Sequence, residues 1–221
     1  MNIHAKNNIV RSSSYYFIIT LLLLMSTSSS YGQDNWKLIK EKSEIKVFTN
    51  TKHNDSKLIH IKAISSVNGK LKDCYKLIND VDNYTSWMHG VTKISLIERK
   101  SPNKFSYYML TDFPWPADDR DVIIKTKVHF KKKKREVYTV SRNQKNVIPE
   151  KEGIHRVEKM RASWKFKEID TGTIQITYEG RIHSSIELPD WLEERVSYRG
   201  PFNTIKNMKK EIQNGKNTSS R

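Results

Sequence analysis

Alternation of apolar and polar residues along three stretches restricts the fold of this chain more than any other sequence feature. The stretches are Val122–Phe130, Met160–Phe166 and Ile174–Ile182. A period of two places successive side chains on opposite faces of a β-strand, so each stretch predicts a strand with one buried face and one solvated face. Strands of this kind are typical of antiparallel sheets. An antiparallel sheet with an apolar face needs another element to cover that face.

Weaker alternation extends the predicted sheet to about eight strands. The additional segments are Glu44–Thr49, Leu58–Val67, Val91–Glu98, Phe105–Thr111 and Arg135–Arg142.

Helical spacing of apolar residues occurs in two places, Leu71–Val81 and Leu188–Ile212. The second is interrupted at Gly200–Pro201, and proline costs about 3 kcal/mol inside a helix but is accepted in its first turn. We therefore predict a short helix from Asp190, a break, and a longer helix that starts at the proline and covers the sheet. A further short helix is predicted at Trp36–Lys40.

Residues 1–32 are predicted to be a secretory signal peptide. Lys6 and Arg11 give a positive start with no acidic residue, and the apolar run Tyr15–Met25 follows. Eleven residues are too few for a membrane span, which needs roughly 20. Small and polar residues then lead to a cleavage site, which we expect near Gly32–Gln33. The protein is therefore expected to be exported, to the periplasm or the medium.

One domain is predicted at 33–214, followed by a flexible tail at 215–221. The formal charge of the whole chain is +16, and loss of the signal peptide with its two basic residues lowers it to +14. The single cysteine, Cys74, excludes a disulfide within one chain. Because Cys74 lies on the apolar face of a predicted helix, we interpret it as a core residue and not as a nucleophile.

Four motifs occur in a characteristic order along the chain. They are YTSWMHGV at Tyr84–Val91, PWPADDRD at Pro114–Asp121, LPDWL at Leu188–Leu192 and GPFNTI at Gly200–Ile205. Together they resemble the START family, the StAR-related lipid-transfer domain, over nearly all of the mature chain. The second motif is the most specific, whereas YTSWM is shared with related helix-grip proteins such as polyketide cyclases.

The resemblance implies an α+β helix-grip fold, in which a curved antiparallel sheet wraps around a long C-terminal helix. It also implies a hydrophobic tunnel that holds one lipid or another apolar molecule. The alternating strands fit this expectation, because an apolar sheet face set slightly apart from an apolar helix stripe encloses space that favours apolar ligands.

Aromatic, sulfur-bearing and aliphatic residues on the inferred inward faces are the candidates for a ligand cavity, although the same residue types also build cores. The predicted cavity residues are Trp87, Tyr107, Met109, Ile124, Trp164, Tyr178, Phe202 and Ile205. The hydroxyl of Tyr107 or Tyr178 is expected to orient a polar group of the ligand.

The PWP–RD motif contributes four residues that we interpret as structural: Trp115, Pro116, Arg120 and Asp121. The arginine fork and the carboxylate are expected to tie a loop to a strand. A direct ligand role for Arg120 is the alternative, since charged groups in apolar pockets are usually functional.

The chain departs from the pattern that the resemblance implies for cholesterol-binding members, which carry an acid and an arginine near the tunnel floor. Thr126 stands where that arginine is expected, six positions beyond Arg120, and Tyr107–Tyr108 lie where the acid falls. Sterol specificity is therefore not implied.

Five consecutive basic residues are predicted to form a hairpin tip. They are Lys131, Lys132, Lys133, Lys134 and Arg135. The run has two interpretations, a solvated turn or a transient contact with an anionic membrane surface worth about 1 kcal/mol per charge. Nucleic acid is not expected as a partner, because no binding motif accompanies the charge.

No catalytic constellation is visible in the sequence. The histidines are scattered, a Gly-x-Ser-x-Gly elbow and a glycine-rich phosphate loop are absent, and the aspartates at 118, 119 and 121 have the spacing of turn residues. We predict a monomer without cofactor or metal that binds a lipid or other hydrophobic small molecule without transforming it. The alternatives are a cyclase- or hydrolase-type enzyme acting on an aromatic or polyketide-like substrate, and a basic module that contacts the cell envelope.

Overall fold

The computed structural model describes residues 35–50, 57–113, 115, 117–183 and 195–218, with side chains as far as residue 215. The strands in these ranges are β1 (Trp36–Lys42), β2 (Ile45–Asn50), β3 (Leu58–Asn68), β4 (Val91–Ser101), β5 (Lys104–Thr111), β6 (Asp119–Lys131), β7 (Glu136–Asn143), β8 (Ile154–Arg156), β9 (Lys159–Asp170) and β10 (Thr173–His183). The α-helices are α1 (Leu71–Asn79), α2 (Tyr84–Trp87) and α3 (Gly200–Thr218), and Arg195–Arg199 forms a π-helix. Short 3-10 turns occupy Val81–Asn83 and Lys132–Lys134.

One sheet contains all ten of these strands, in the order β1-β2-β3-β10-β9-β7-β6-β5-β4, with β8 beside β6. Every pairing is antiparallel except that of β8 with β6. The sheet is curved, and α3 covers its apolar face. The predicted α+β helix-grip fold is therefore confirmed.

The alternation that predicted the strands corresponds to burial in the structure. In β6 the side chains of Val122, Ile124 and Thr126 are buried, whereas Lys125 and Lys127 are exposed. Phe130 is an exception, since it was predicted to share the buried face and is 43% exposed. It lies at the far end of β6, where its ring centroid is 5.9 Å from that of Tyr75.

Two strands differ from the sequence-based predictions. The short helix predicted at Trp36–Lys40 is wrong, because this segment is part of β1 and pairs with β2 from Trp36↔Asn50 onwards. A five-residue helix has too few internal hydrogen bonds to be stable alone, so pairing with a neighbouring strand decides the conformation. The three-residue strand β8 was not predicted, since it is too short to show a period.

The helical segment at the C-terminus is continuous across Gly200–Pro201, so the predicted break is wrong. The π-helix Arg195–Arg199 leads directly into α3. Pro201 has no backbone N–H to donate. The change from π-helix to α-helix beside it therefore breaks no hydrogen bond from that residue. The start of the predicted helix at Asp190 lies outside the described residues.

The core is formed between the sheet and one stripe of α3. Ile205, Met208 and Ile212 on that stripe are fully buried, and they cluster with Val47 and Ala63 of the sheet and with residues of α1. None of the helices in the described ranges is long and apolar enough to cross a membrane.

Helix α1 confirms Cys74 as a core residue, since its side chain is completely buried. Burial, assisted by the negative charge of Asp73, raises the pKa of the Cys74 thiol from 9.0 to about 12.

We expect the Cys74 thiol to react very slowly with a maleimide in the native protein. The thiolate is the reactive species, and burial lowers both its population and its accessibility. Unfolding in urea should restore a normal rate, followed by mass spectrometry of the labelled chain. The double variant Cys74→Ala/Lys76→Cys, with its thiol on the exposed side of the same helix, is the positive control. Native labelling of Cys74 at the control's rate would contradict the prediction.

Candidate ligand-binding cavity

A cavity of about 260 Å³ lies between the inner face of the sheet and the first turn of α3. Its walls come from the inward positions of β3, β5, β6, β7, β9 and β10, and Gly200, Pro201 and Thr204 border it from the helix. The aliphatic and sulfur-bearing wall residues include Ile59, Ile61, Met88, Val122, Met160, Ala162 and Ile182. The cavity is therefore mainly apolar, as expected for a site that takes a hydrophobic molecule.

Five of the residues predicted for the cavity border it. They are Tyr107, Met109, Ile124, Trp164 and Tyr178. All five project from the inner face of β5, β6, β9 or β10, so the strand alternation placed them on the correct side of the sheet.

Three of the predicted residues, Trp87, Phe202 and Ile205, are not among the cavity wall. Trp87 is fully buried behind Trp164, at 5.9 Å between ring centroids, and Ile205 is fully buried in the core. A helix turns through about 100° per residue, so Phe202 and Ile205 project from α3 in other directions than Gly200 and Thr204. Phe202 packs half-buried against the core.

One part of the cavity wall carries hydroxyl groups whose hydrogen bonds are largely satisfied within the protein. The hydroxyls of Thr126 and Ser141 lie 2.9 Å apart, and Thr139 Oγ1 accepts the Trp164 backbone N–H at 3.0 Å. Burial raises the pKa of Tyr178 to about 12 and the pKa of Tyr107 further. Both phenols are therefore neutral near pH 7 and offer hydrogen bonds without charge.

Arg120 is a charged residue in the cavity wall. It is 8% exposed, and its Nη1 donates to the Asp118 carbonyl at 2.6 Å, which ties the loop before β6 to the strand. Its guanidinium lies 5.2 Å from the centre of the Phe113 ring. Burial lowers the pKa of Arg120, while the charges of Asp118 and Asp119 oppose that shift. Arginine nevertheless stays charged near pH 7.

Asp121 and Trp115 of the PWP–RD motif are not part of the cavity wall. Asp121 points to the opposite face of β6 and is 1% exposed, and its carboxylate accepts from the Arg156 guanidinium, with Nη2 to Oδ2 at 3.0 Å. The partner of this carboxylate is thus Arg156 of β8, a residue that the sequence did not single out. Trp115 is 89% exposed, and Pro116 lies outside the described residues.

Sequence reasoning also missed several wall residues. Met160 and Ala162 share the alternating face of Trp164, so the same signal contained them, but alternation does not separate a cavity wall from a filled core. His89 and His183 border the cavity and had no recognisable motif. The backbone N–H of His89 donates to Thr204 Oγ1 in the first turns of α3 at 3.1 Å. Among the wall residues that the structure describes there is no aspartate, glutamate, lysine or cysteine, and the described ranges hold no cluster of three metal-binding side chains.

The basic run forms a hairpin tip, as predicted. Lys131 ends β6, Lys132–Lys134 form a 3-10 turn, and Arg135 has a left-handed backbone with φ 50°. The Arg135 side chain forms an ion pair with Glu168, with 2.6 Å between Nη2 and Oε1. About 36 Å of strand separates this tip from Arg120, so the tip and Arg120 lie at opposite ends of β6.

A curved antiparallel sheet that packs on a C-terminal helix defines a helix-grip protein, and here the two enclose an apolar cavity. The chain belongs to the START family, because the START domain model matches residues 21–218. The match begins within the segment predicted as the signal peptide.

Similar proteins support this assignment. An uncharacterized protein of Pseudomonas aeruginosa is 27% identical over 179 residues, which is 80% of this chain and 86% of that protein. The ceramide transfer protein of Xenopus laevis is 31% identical over 94 residues, 42% of this chain but 15% of the relative.

Two solved structures share the fold. The STAR-related lipid transfer protein of Xanthomonas axonopodis has a TM-score of 0.73 at 19% identity, covering 81% of this chain and 99% of that chain. Human STARD10 has a TM-score of 0.69 at 18% identity, covering 81% and 73%.

We expect Gly180→Ala to weaken binding of the neutral dye N-phenylnaphthylamine by about tenfold, which corresponds to overpacking by 1–3 kcal/mol. A Cβ on Gly180 would collide with the Tyr178 hydroxyl and lie 2.9 Å from Tyr178 Cζ, so the Tyr178 ring, which is part of the cavity wall, must shift. Fluorescence titration measures the change. Gly215→Ala in α3, where an added Cβ meets nothing within 4 Å, should bind the dye like the wild type. Equal affinity of both variants would contradict the expectation.

Proposed function

We propose that the protein binds a lipid or a similar hydrophobic molecule in the cavity and releases it chemically unchanged. The observation that carries this proposal is the apolar cavity of about 260 Å³ between the sheet and the start of α3. Membership of the START family supports it, and two of the similar proteins are named as lipid or ceramide transfer proteins.

Apolar burial supplies the affinity, at about 25 cal/mol for each Å² removed from water. The neutral hydroxyls of Tyr107 and Tyr178 can hydrogen-bond a polar group of the ligand without the cost of burying a charge. The first turn of α3 and Phe113 in the loop before β6 border the cavity, so movement of these two segments is the proposed entry route.

The absence of catalysis is part of the proposal. General acid–base chemistry needs a group whose pKa lies near the working pH, and burial shifts the pKa values of the cavity tyrosines away from it. No carboxylate contributes to the described part of the wall, and His89 and His183 are the wall residues through which acid–base chemistry would have to act. The lack of a carboxylate beside them favours binding over the cyclase- or hydrolase-type alternative.

Contact with an anionic membrane through Lys131–Arg135 and a monomeric state stay predictions. The position of the basic tip bears on the first of them. Because the tip lies at the far end of β6 from Arg120, docking through it would not by itself bring the helix-start end of the cavity to the bilayer.

Filling the cavity tests the proposed function directly. Ala162→Phe adds a ring between Met160 and Trp164 on the inner face of β9 and should abolish dye binding, since the space of the ligand is then occupied. Ser163→Phe adds the same ring on the opposite face of the same strand and should leave binding intact. Native mass spectrometry of the wild type should show a co-purifying hydrophobic molecule that the Ala162→Phe variant lacks. If the wild type binds neither dye nor lipid, or if both variants bind equally, the proposal fails.

Export is the second part of the proposal, and it rests on the N-terminal pattern alone. Expression of the full chain in a bacterium should yield a periplasmic or secreted protein whose N-terminal sequence starts at or near Gln33. Leu22→Arg places a charge in the apolar run and should leave the chain unprocessed inside the cell, because the signal requires an apolar centre. A wild-type product that still begins at Met1 would refute cleavage.

A further inference from the structure

Arg120 holds a donor that the protein leaves unused. Arg120 is only 8% exposed, and it borders the apolar cavity. Nη1 donates to the Asp118 carbonyl, but the buried Nη2 has no hydrogen-bond partner among the described residues. A buried charged donor without a partner costs more than a neutral one.

The carboxylates near Arg120 are committed elsewhere. Asp118 Oδ2 lies 2.9 Å from His155 Nε2, and Asp119 Oδ1 accepts the Phe113 backbone N–H at 3.1 Å. Arg120 forms no ion pair within the described part of the chain, whereas the neighbouring Arg156 has its fork filled by Asp121. Arg120 therefore combines a positive charge with a guanidinium donor that no described residue accepts, and these are the features that recognise a carboxylate or a phosphate.

Other buried donors without partners do not offer the same site. Trp87 Nε1 and the Tyr108 hydroxyl are also unpartnered, but neither residue borders the cavity. The hydroxyls of Thr126 and Ser141, also in the cavity wall, share a hydrogen bond with each other and carry no charge. Of these residues, Arg120 is the one that both borders the cavity and has a buried donor without a partner.

We propose that the Arg120 guanidinium binds the anionic head of an amphiphilic ligand, a carboxylate or a phosphate group, whose apolar chain extends along the inner face of β6. The inference rests on the proposed function and adds to it the charge and orientation of the ligand. Arg120 thereby acts as a specificity-determining residue as well as a link between loop and strand.

The dimensions of the cavity favour a ligand with one chain. From Arg120 to Thr126 the strand extends about 20 Å, and the inward side chains between them are Val122 and Ile124. The volume of about 260 Å³ lies just below the roughly 300–1,000 Å³ typical of small-molecule pockets. A single alkyl chain with its head at Arg120 matches that length and volume better than a two-chain lipid does.

A set of probes with one chain length tests the inference in the full mature protein after removal of co-purified lipid. Dodecanoic acid, dodecyl phosphate and dodecanol are each titrated against bound N-phenylnaphthylamine. The acid or the phosphate should bind about tenfold to a hundredfold more tightly than the alcohol, as expected for a charge-assisted hydrogen bond to a buried arginine. Which of the two anions binds better identifies the head group.

Variants connect this preference to Arg120. Arg120→Gln should reduce the affinity for the preferred anion to that for dodecanol, and Arg120→Lys should keep part of the preference, because it retains the charge without the fork. Arg161→Gln, on the exposed face of β9, removes the same charge outside the cavity and should keep the full preference. Thermal unfolding of each variant checks that it is folded.

The outcomes separate this inference from the proposed function. If the wild type binds the dye and dodecanol but neither anion more tightly, the inference is overturned and the proposed function stands. If the wild type binds none of the probes, both fail. A preference that persists in a folded Arg120→Gln variant also overturns the inference, and the wild-type comparison does not depend on the folding of any variant.

Discussion

Among the described residues, the long helix α3, with α1 and the short α2 beside it, covers the apolar face of a ten-stranded sheet. The rest of the structure depends on how little helix faces so large a sheet. The stripe of Ile205, Met208 and Ile212 fills the space over part of the sheet. Towards its N-terminus α3 presents Gly200, Pro201 and Thr204, which carry little side-chain volume. The sheet continues beyond this helix start with apolar side chains still pointing inward. The cavity is the unfilled remainder of a core, which explains why its walls have the composition of a core.

The polar groups of the cavity fall into two kinds that differ in how they are satisfied. Thr126, Ser141 and Thr139 bond within the sheet, so they allow polar atoms at a buried position without requiring a ligand. Arg120 is satisfied on one arm only. In an apolar environment this difference is large, because a charge without a partner is costly to bury. The threonine and serine hydroxyls therefore stabilise the sheet itself. Arg120 is the place where a bound ligand can add stability.

Family membership and local chemistry contribute different information about this protein. The START match establishes the family, and the similar structures establish the fold in which the cavity lies. At 19% identity to the Xanthomonas structure, the fold says nothing about the ligand, and only a local feature of this chain can narrow it. Thr126 stands where the resemblance to cholesterol-binding members implies an arginine, and the charged wall residues of this cavity are Arg120 of β6 and Arg156 of β8. Asp121 accepts from the Arg156 guanidinium, so Arg120 is the one of the two with a buried donor left free.

The sequence by itself determined the sheet, the covering helix and the inward face of most strands, because alternation and helical spacing report which side of an element is buried. It placed Tyr107, Trp164 and Tyr178 on the side where the cavity lies. It misjudged Trp36–Lys40, where pairing with β2 outweighs local preference, and it treated Phe202 and Ile205 as cavity residues. Only the tertiary structure decided which inward residues border empty space and which donor of Arg120 lacks a partner. Periodicity records the direction of a side chain, whereas a void or an unsatisfied donor depends on what distant segments place opposite it.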